Sequence, residues 1–157
     1  LQLIENPDQM AKAVAAVDVG NERAIINLVE EVLRTESPTA GMWRMVLKDA
    51  ELGGVKIPKG AMVQLRYAAA NRDPAKYPDP DRFDIERPNA RSHLAFGKGI
   101  HMCVGNMLSR KEMAVAYTEL LGRLTDFRVA DGHVPSGPPN MLLRGLTTLP
   151  ISFRRRA

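Results

Sequence analysis

Apolar residues at Ile25, Leu28, Val29, Val32 and Leu33 recur at the three- and four-residue spacing of one helical face, and Ser37-Pro38 closes the run. This pattern predicts a helix over residues 21–36. Ahead of it, Asn6, Pro7 and Gln9 have the form of a helix start: a side-chain cap, a proline where no amide hydrogen is needed, and a glutamine three residues past the cap. A short helix to about Val17 follows, broken by Gly20 and Asn21. Across residues 42–65 the period shortens to two, with Trp43, Met45 and Leu47 on one side and Arg44 and Val46 on the other. Turns at Gly53-Gly54 and Pro58-Lys59-Gly60 fold these runs into hairpins. Residues 71–95 carry prolines among charges without a period, a long irregular meander of the kind that is functional or disordered. A stripe of Met107, Leu108, Ala114, Tyr117, Leu120, Leu121 and Leu124 predicts a helix over 104–123, and residues 126–153 alternate short strands with Gly-Pro turns, closing as a hairpin near 149–153. The sum is one domain over residues 1–157, mostly α with small β hairpins, an α+β arrangement without internal repeats.

Composition narrows the picture without naming a function. The 157 residues are 45% hydrophobic and 25% charged, ordinary for a packed core. A formal charge of +4, with its densest basic run at Arg154–Arg156, lacks the concentrated patch and aromatic readers of a nucleic-acid binder. One cysteine excludes an intrachain disulfide framework, and no apolar stretch is long enough to cross a bilayer, so a cytoplasmic protein without membrane or nucleic-acid partners is expected. The chain opens at Leu1 on an apolar turn that reads like the interior of a longer protein, which suggests a fragment.

The chemistry concentrates in residues 96–105, FGKGIHMCVG. Gly97, Gly99 and Gly105 bracket Cys103, so the backbone can take turns that other residues resist and approach a flat ligand closely. The positive end of the following helix faces the sulfur and favours thiolate, which suits iron ligation. Taken alone, Cys103 also fits a small buried hydrophobe or a nucleophile activated by His101; zinc is disfavoured, because no second cysteine and no suitably spaced histidine accompany it.

The whole string resembles the haem loop of the cytochrome P-450 superfamily, the haem-thiolate monooxygenases, in its bacterial soluble type: Phe96, Gly99, Cys103 and Gly105 fall at the signature spacing and His101 stands where such members often have histidine. Glu31 and Arg34 supply the Glu-x-x-Arg pair of that family, Arg87 in DPDRFDIERP its third member, and Ala70–Pro74 (ANRDP) a further landmark. By periodicity alone Glu31 and Arg34 lie opposite the apolar stripe and face solvent; the resemblance implies a buried structural network instead. It further implies that the chain is the C-terminal, haem-binding part of the fold.

The cofactor implied is haem (heme b, iron protoporphyrin IX), with Cys103 as metal ligand and Arg44, Ala95, Phe96, Gly97, His101, Val104, Gly105 and Ser109 as cofactor contacts. Arg44, which alone reads as a surface arginine, and His101 would take the two propionates. Ser109 departs from the family's usual alanine. Ala40, Met42, Leu142 and Leu143 match substrate-facing stretches, although core packing explains them equally well, and their apolar character implies a lipophilic small molecule. The implied reaction inserts one atom of O₂ into that substrate. Electrons would come from a ferredoxin or flavoprotein, steered by Lys98, Arg110 and Lys111 on the cysteine side. The long helix that carries the family's oxygen-activating acid and threonine has no counterpart in this sequence, so no catalytic residue is assigned and the chain alone is expected to be inactive. A truncated haem-binding protein or a non-catalytic helical module remain the alternatives.

Overall fold

A computed structural model describes residues 1–156. Its centre is α3 (Glu22–Glu36), started by the Asn21 side chain, which accepts a hydrogen bond from the Ala24 amide at 3.1 Å, and ended by Ser37 in the left-handed region at φ 41°. Before it come a single turn, α1 (Gln2–Glu5), and α2 (Pro7–Asp18); after it, α4 (Tyr67–Ala70) and the long α5 (Asn106–Arg123). Leu28 of α3, Ala13 of α2, Leu121 of α5 and Leu3 of α1 meet Phe83 and Ile85 in one core, while Val29, Leu33 and Ala95 form a second beneath Phe96 and Met113.

Gln9 is not the reciprocal cap its spacing suggests. It is buried, and its side-chain oxygen accepts from the Ile85 amide at 3.0 Å, while the Asn6 side chain donates back to the Gln2 carbonyl. A glutamine pulled into the core to satisfy a loop amide has the same sequence pattern as a capping box.

β1 (Met42–Met45) pairs antiparallel with β4 (Met62–Leu65), and inside them β2 (Ala50–Leu52) pairs with β3 (Val55–Ile57). The inner turn uses Gly53 and Gly54 at φ 58° and 80°, the two left-handed positions that a two-residue hairpin turn needs. On β1 the apolar Trp43 and Met45 face outward and Arg44 is half-buried, the reverse of a strand lying on a hydrophobic core.

The chain end departs from the expected local hairpin over 149–153. β6 (Ile151–Arg155) instead pairs antiparallel with β5 (Leu124–Val129), which follows α5 directly, with an irregularity between Thr125 and Arg128 where Asp126 has φ 56°. Between them, Leu143 bridges Thr39 and Arg144 donates to the Pro38 carbonyl at 2.8 Å, so the tail is tied to the segment leaving α3. The α5 stripe is likewise only partly covered. Leu121 is buried and Ala114, Tyr117 and Leu124 are half-buried, whereas Met107, Leu108 and Leu120 are exposed.

Residues 71–95 have almost no regular structure, yet much of their backbone is enclosed. Five of its carbonyls, those of Asn71, Pro78, Asp79, Pro80 and Arg82, accept from two guanidinium groups. Arg34 uses all five of its donors: two on Glu31 at 2.8 and 2.9 Å, and three on the carbonyls of Asn71, Pro80 and Arg82. Arg87 donates to Glu31 at 3.1 Å and to the carbonyls of Pro78, Asp79 and Arg82. Both Glu31 and Arg34 are 0% exposed, which overturns the solvent placement that periodicity gives them. The meander closes here because the two guanidinium groups donate to its carbonyls while Glu31 balances their charge and accepts from the Asp84 amide. The Tyr77 ring lies 5.1 Å from the Arg34 guanidinium; burial pushes its hydroxyl up from the ordinary value.

Candidate functional site: the cysteine loop and its cavity

Gly97 at φ 69° and Gly99 at φ 70° turn the chain after Phe96, and a single 3-10 turn over Gly99–His101 delivers Cys103 to the surface. The loop is closed by the Cys103 amide, which donates to the Phe96 carbonyl at 2.9 Å. Gly105 does not serve as a turn glycine, since its φ is −82°; a Cβ there would lie 3.9 Å from the Cys103 sulfur. α5 begins three residues after the cysteine rather than directly behind it, and the Asn106 amide and side chain both donate to the Cys103 carbonyl, at 3.2 and 2.7 Å. Cys103 is exposed, which removes the reading of it as a buried hydrophobe.

The thiol borders a cavity of ≈ 620 Å³, inside the about 300 to 1,000 Å³ typical of small-molecule sites. Arg44, Ala95, Phe96, Gly97, His101, Cys103 and Ser109 line it together. Of the other expected contacts, Gly105 is absent from the lining and Val104 is fully solvent-facing at 101% exposure. Of the expected substrate contacts only Met42 joins it. Ala40 is buried and donates through its amide to the Leu142 carbonyl at 2.6 Å, and Leu143 lines a second cavity of ≈ 560 Å³ bounded by Leu3, Tyr117 and Leu146.

Val32, Leu33, Glu36, Tyr67 and Met113 also line the cysteine cavity. Periodicity counts Val32 and Leu33 as core, and it could not show that one end of the α3 stripe borders an opening. Met113 could have been found, because it lies one turn beyond Ser109 on the same face of α5.

A second buried carboxylate lies beside the site. Glu30, 1% exposed, binds His93 Nε2 at 2.9 Å and the Arg110 guanidinium at 2.8 and 3.1 Å. Burial pushes its carboxyl up, but the hydrogen bonds from His93 and Arg110 and the charge of Arg110 outweigh this and hold it below its usual 4.5. Arg110 also stacks on the Phe96 ring, 4.6 Å from its centroid, and so is not the solvated steering charge that its place beside Lys111 suggests. Sequence reading missed Glu30 altogether. Its signal was His93, three residues before Phe96, whose role nothing in the sequence explains.

The fit of a flat, iron-bearing macrocycle rests on the donors present. One exposed soft sulfur stands at the mouth, Val32, Leu33, Ala95, Phe96 and Met113 supply apolar walls, and Arg44 and His101 can receive carboxylates. Arg44 spends one donor on the Trp43 carbonyl at 2.8 Å and has no carboxylate partner among the described residues. These features fit haem.

The site is thus a cysteine on a glycine-turned loop, ahead of a long helix and beside an apolar cavity, within an α+β fold. A sequence model of the family described as Cytochrome P450 matches residues 24–152. A putative cytochrome P450 140 of Mycobacterium tuberculosis is 47% identical over 127 residues, covering 81% of this chain and 28% of its own length. The 6-deoxyerythronolide B hydroxylase of Saccharopolyspora erythraea is 39% identical, covering 95% of this chain and 36% of its own. Cytochrome P450 CYP109Q5 from Chondromyces apiculatus superposes with a TM-score of 0.88 at 39% identity, covering 99% of this chain and 38% of that one. The chain belongs to the cytochrome P450 family, and it spans between 28% and 38% of the length of these relatives. Family membership implies haem in general. Among the described residues no helix is long and apolar enough to cross a membrane.

Proposed function

We propose that this chain is the haem-holding part of a monooxygenase, with Cys103 as the thiolate ligand of heme b. The observation that carries the proposal is the exposed Cys103 thiol at the edge of an apolar cavity that also contains Arg44 and His101. When bound, the haem supplies oxygen activation, promoted by electron donation from a thiolate. The chain's own residues would bind and orient it: Arg44 and His101 would take its carboxylates by charge-assisted hydrogen bonds, and Ala95, Phe96, Ser109 and Met113 would line its pocket. The whole enzyme would consume O₂, two electrons and two protons, place one oxygen atom in a C–H bond of the substrate and release the other as water. Proton delivery is assigned to no residue of this chain.

Pro38 and Met42 add apolar lining to the cavity, suited to a lipophilic substrate. Relatives named a 6-deoxyerythronolide B hydroxylase and a steroid C26-monooxygenase support this class. With Arg110 committed to Glu30, the exposed Lys98 and Lys111 remain to steer an acidic ferredoxin or flavoprotein. The test is a haem titration of the chain followed by reduction under carbon monoxide, beside Cys103→Ala. A strongly red-shifted carbonyl band that disappears in the variant is expected. No uptake, or an unshifted band in the unmodified chain, would contradict the proposal.

A further inference from the structure

We infer that Glu30 is a positioning residue for Cys103, a single buried carboxylate that braces both ends of the cysteine loop through His93 and Arg110. The inference rests on the proposed haem ligation only for what the brace is for. Its geometry stands by itself.

Successive residues of a helix point about 100° apart, so Glu30 and Glu31 serve different partners. Glu31 turns to the meander, where Arg34 and Arg87 meet it. Glu30 turns to the loop. At the loop's start, the Ala95 amide donates to His93 Nδ1 at 3.0 Å, which makes Nδ1 the acceptor and leaves the proton on Nε2, where it is donated to Glu30. At the loop's end, Arg110 reaches Glu30 through Nε and Nη2 and donates from Nη1 to the Asn106 side-chain oxygen at 3.0 Å. Asn106 in turn donates to the Cys103 carbonyl at 2.7 Å. The Phe96 ring, under the Arg110 guanidinium, has its own carbonyl bound by the Cys103 amide. Both ends of the loop are thus referred to one carboxylate on α3, the best-packed helix of the chain. Arg91, 3.7 Å from Glu30 and largely exposed, adds a solvated cation.

Such a brace fixes where the sulfur sits relative to the cavity. A loop with three glycines cannot hold that position through its own backbone preferences.

The test compares Glu30→Gln, Arg110→Gln and Arg110→Lys in the full chain, with Lys111→Gln as a surface control. Amide hydrogen exchange of Ala95 and Cys103 is read against the amides in the middle of α2. Glu30→Gln and Arg110→Gln are expected to speed exchange at Ala95 and Cys103 by about tenfold or more, as a broken charge-assisted bond implies, and to leave α2 unchanged. Arg110→Lys recovers part of the protection and Lys111→Gln retains all of it. With haem bound, the two neutral variants divide the carbonyl band between shifted and unshifted forms. Equal acceleration in α2 and the loop would reduce Glu30 to a general stabiliser and overturn the inference; so would unchanged exchange at Cys103, or a single shifted band in every variant. Absence of the shifted band in the unmodified chain would refute haem ligation while the exchange result still decides the brace.

Discussion

The two sides of α3 treat their surroundings in opposite ways. Toward residues 71–95 the molecule is closed: Glu31 and Arg34 are wholly buried, every donor of Arg34 is used, and Leu28 and Ala13 are sealed against Phe83 and Ile85. Toward the cysteine loop it is open: Ile100, Val104 and Leu108 are 97%, 101% and 64% exposed, and apolar side chains border two cavities. Isolated exposed hydrophobes are ordinary, but so many together mark a surface made to be covered. The closed side holds the fold and the open side carries the proposed haem site, with α3 as the wall between them.

If that division is right, substitutions of similar size should differ in cost by side. The largest effect is expected at Arg34→Ala, where a paired buried charge and three carbonyls lose their partner at a cost of about 3–5 kcal/mol, read from urea denaturation. Leu28→Ala, in the closed core, should cost about 2–5 kcal/mol. Leu108→Ala on the open side should stay within about 0.5 kcal/mol; a loss as large as that of Leu28 would show the open face already packed.

A pH titration sharpens the same contrast. Glu30 is held below its usual 4.5 in the folded chain, so its contribution is fully present above that value and is lost as pH falls through the lower folded value. Stability followed below pH 4.5 should therefore decline less steeply in Glu30→Gln than in the unmodified chain.

The fold class and the cysteine loop were legible because both are local. One buried face forces the apolar period of α3, a two-residue hairpin turn demands glycines, and the spacing from Phe96 to Gly105 is a contiguous string. What escaped was set by partners distant in sequence. Periodicity alone leaves Glu31 and Arg34 facing solvent, and their buried network with Arg87 was expected only from the resemblance; Gln9 resembles a cap until Ile85 arrives, and β6 finds β5 rather than a neighbour. Arg110 reads as a steering charge because its partner Glu30 stands 80 residues away.

The measurement that bears most directly on the central claim is X-ray absorption at the iron edge of the haem-loaded chain, beside Cys103→Ala. One sulfur neighbour of the iron in the unmodified chain and none in the variant is the predicted result. Iron surrounded only by nitrogen and oxygen in the unmodified chain would contradict Cys103 as the ligand.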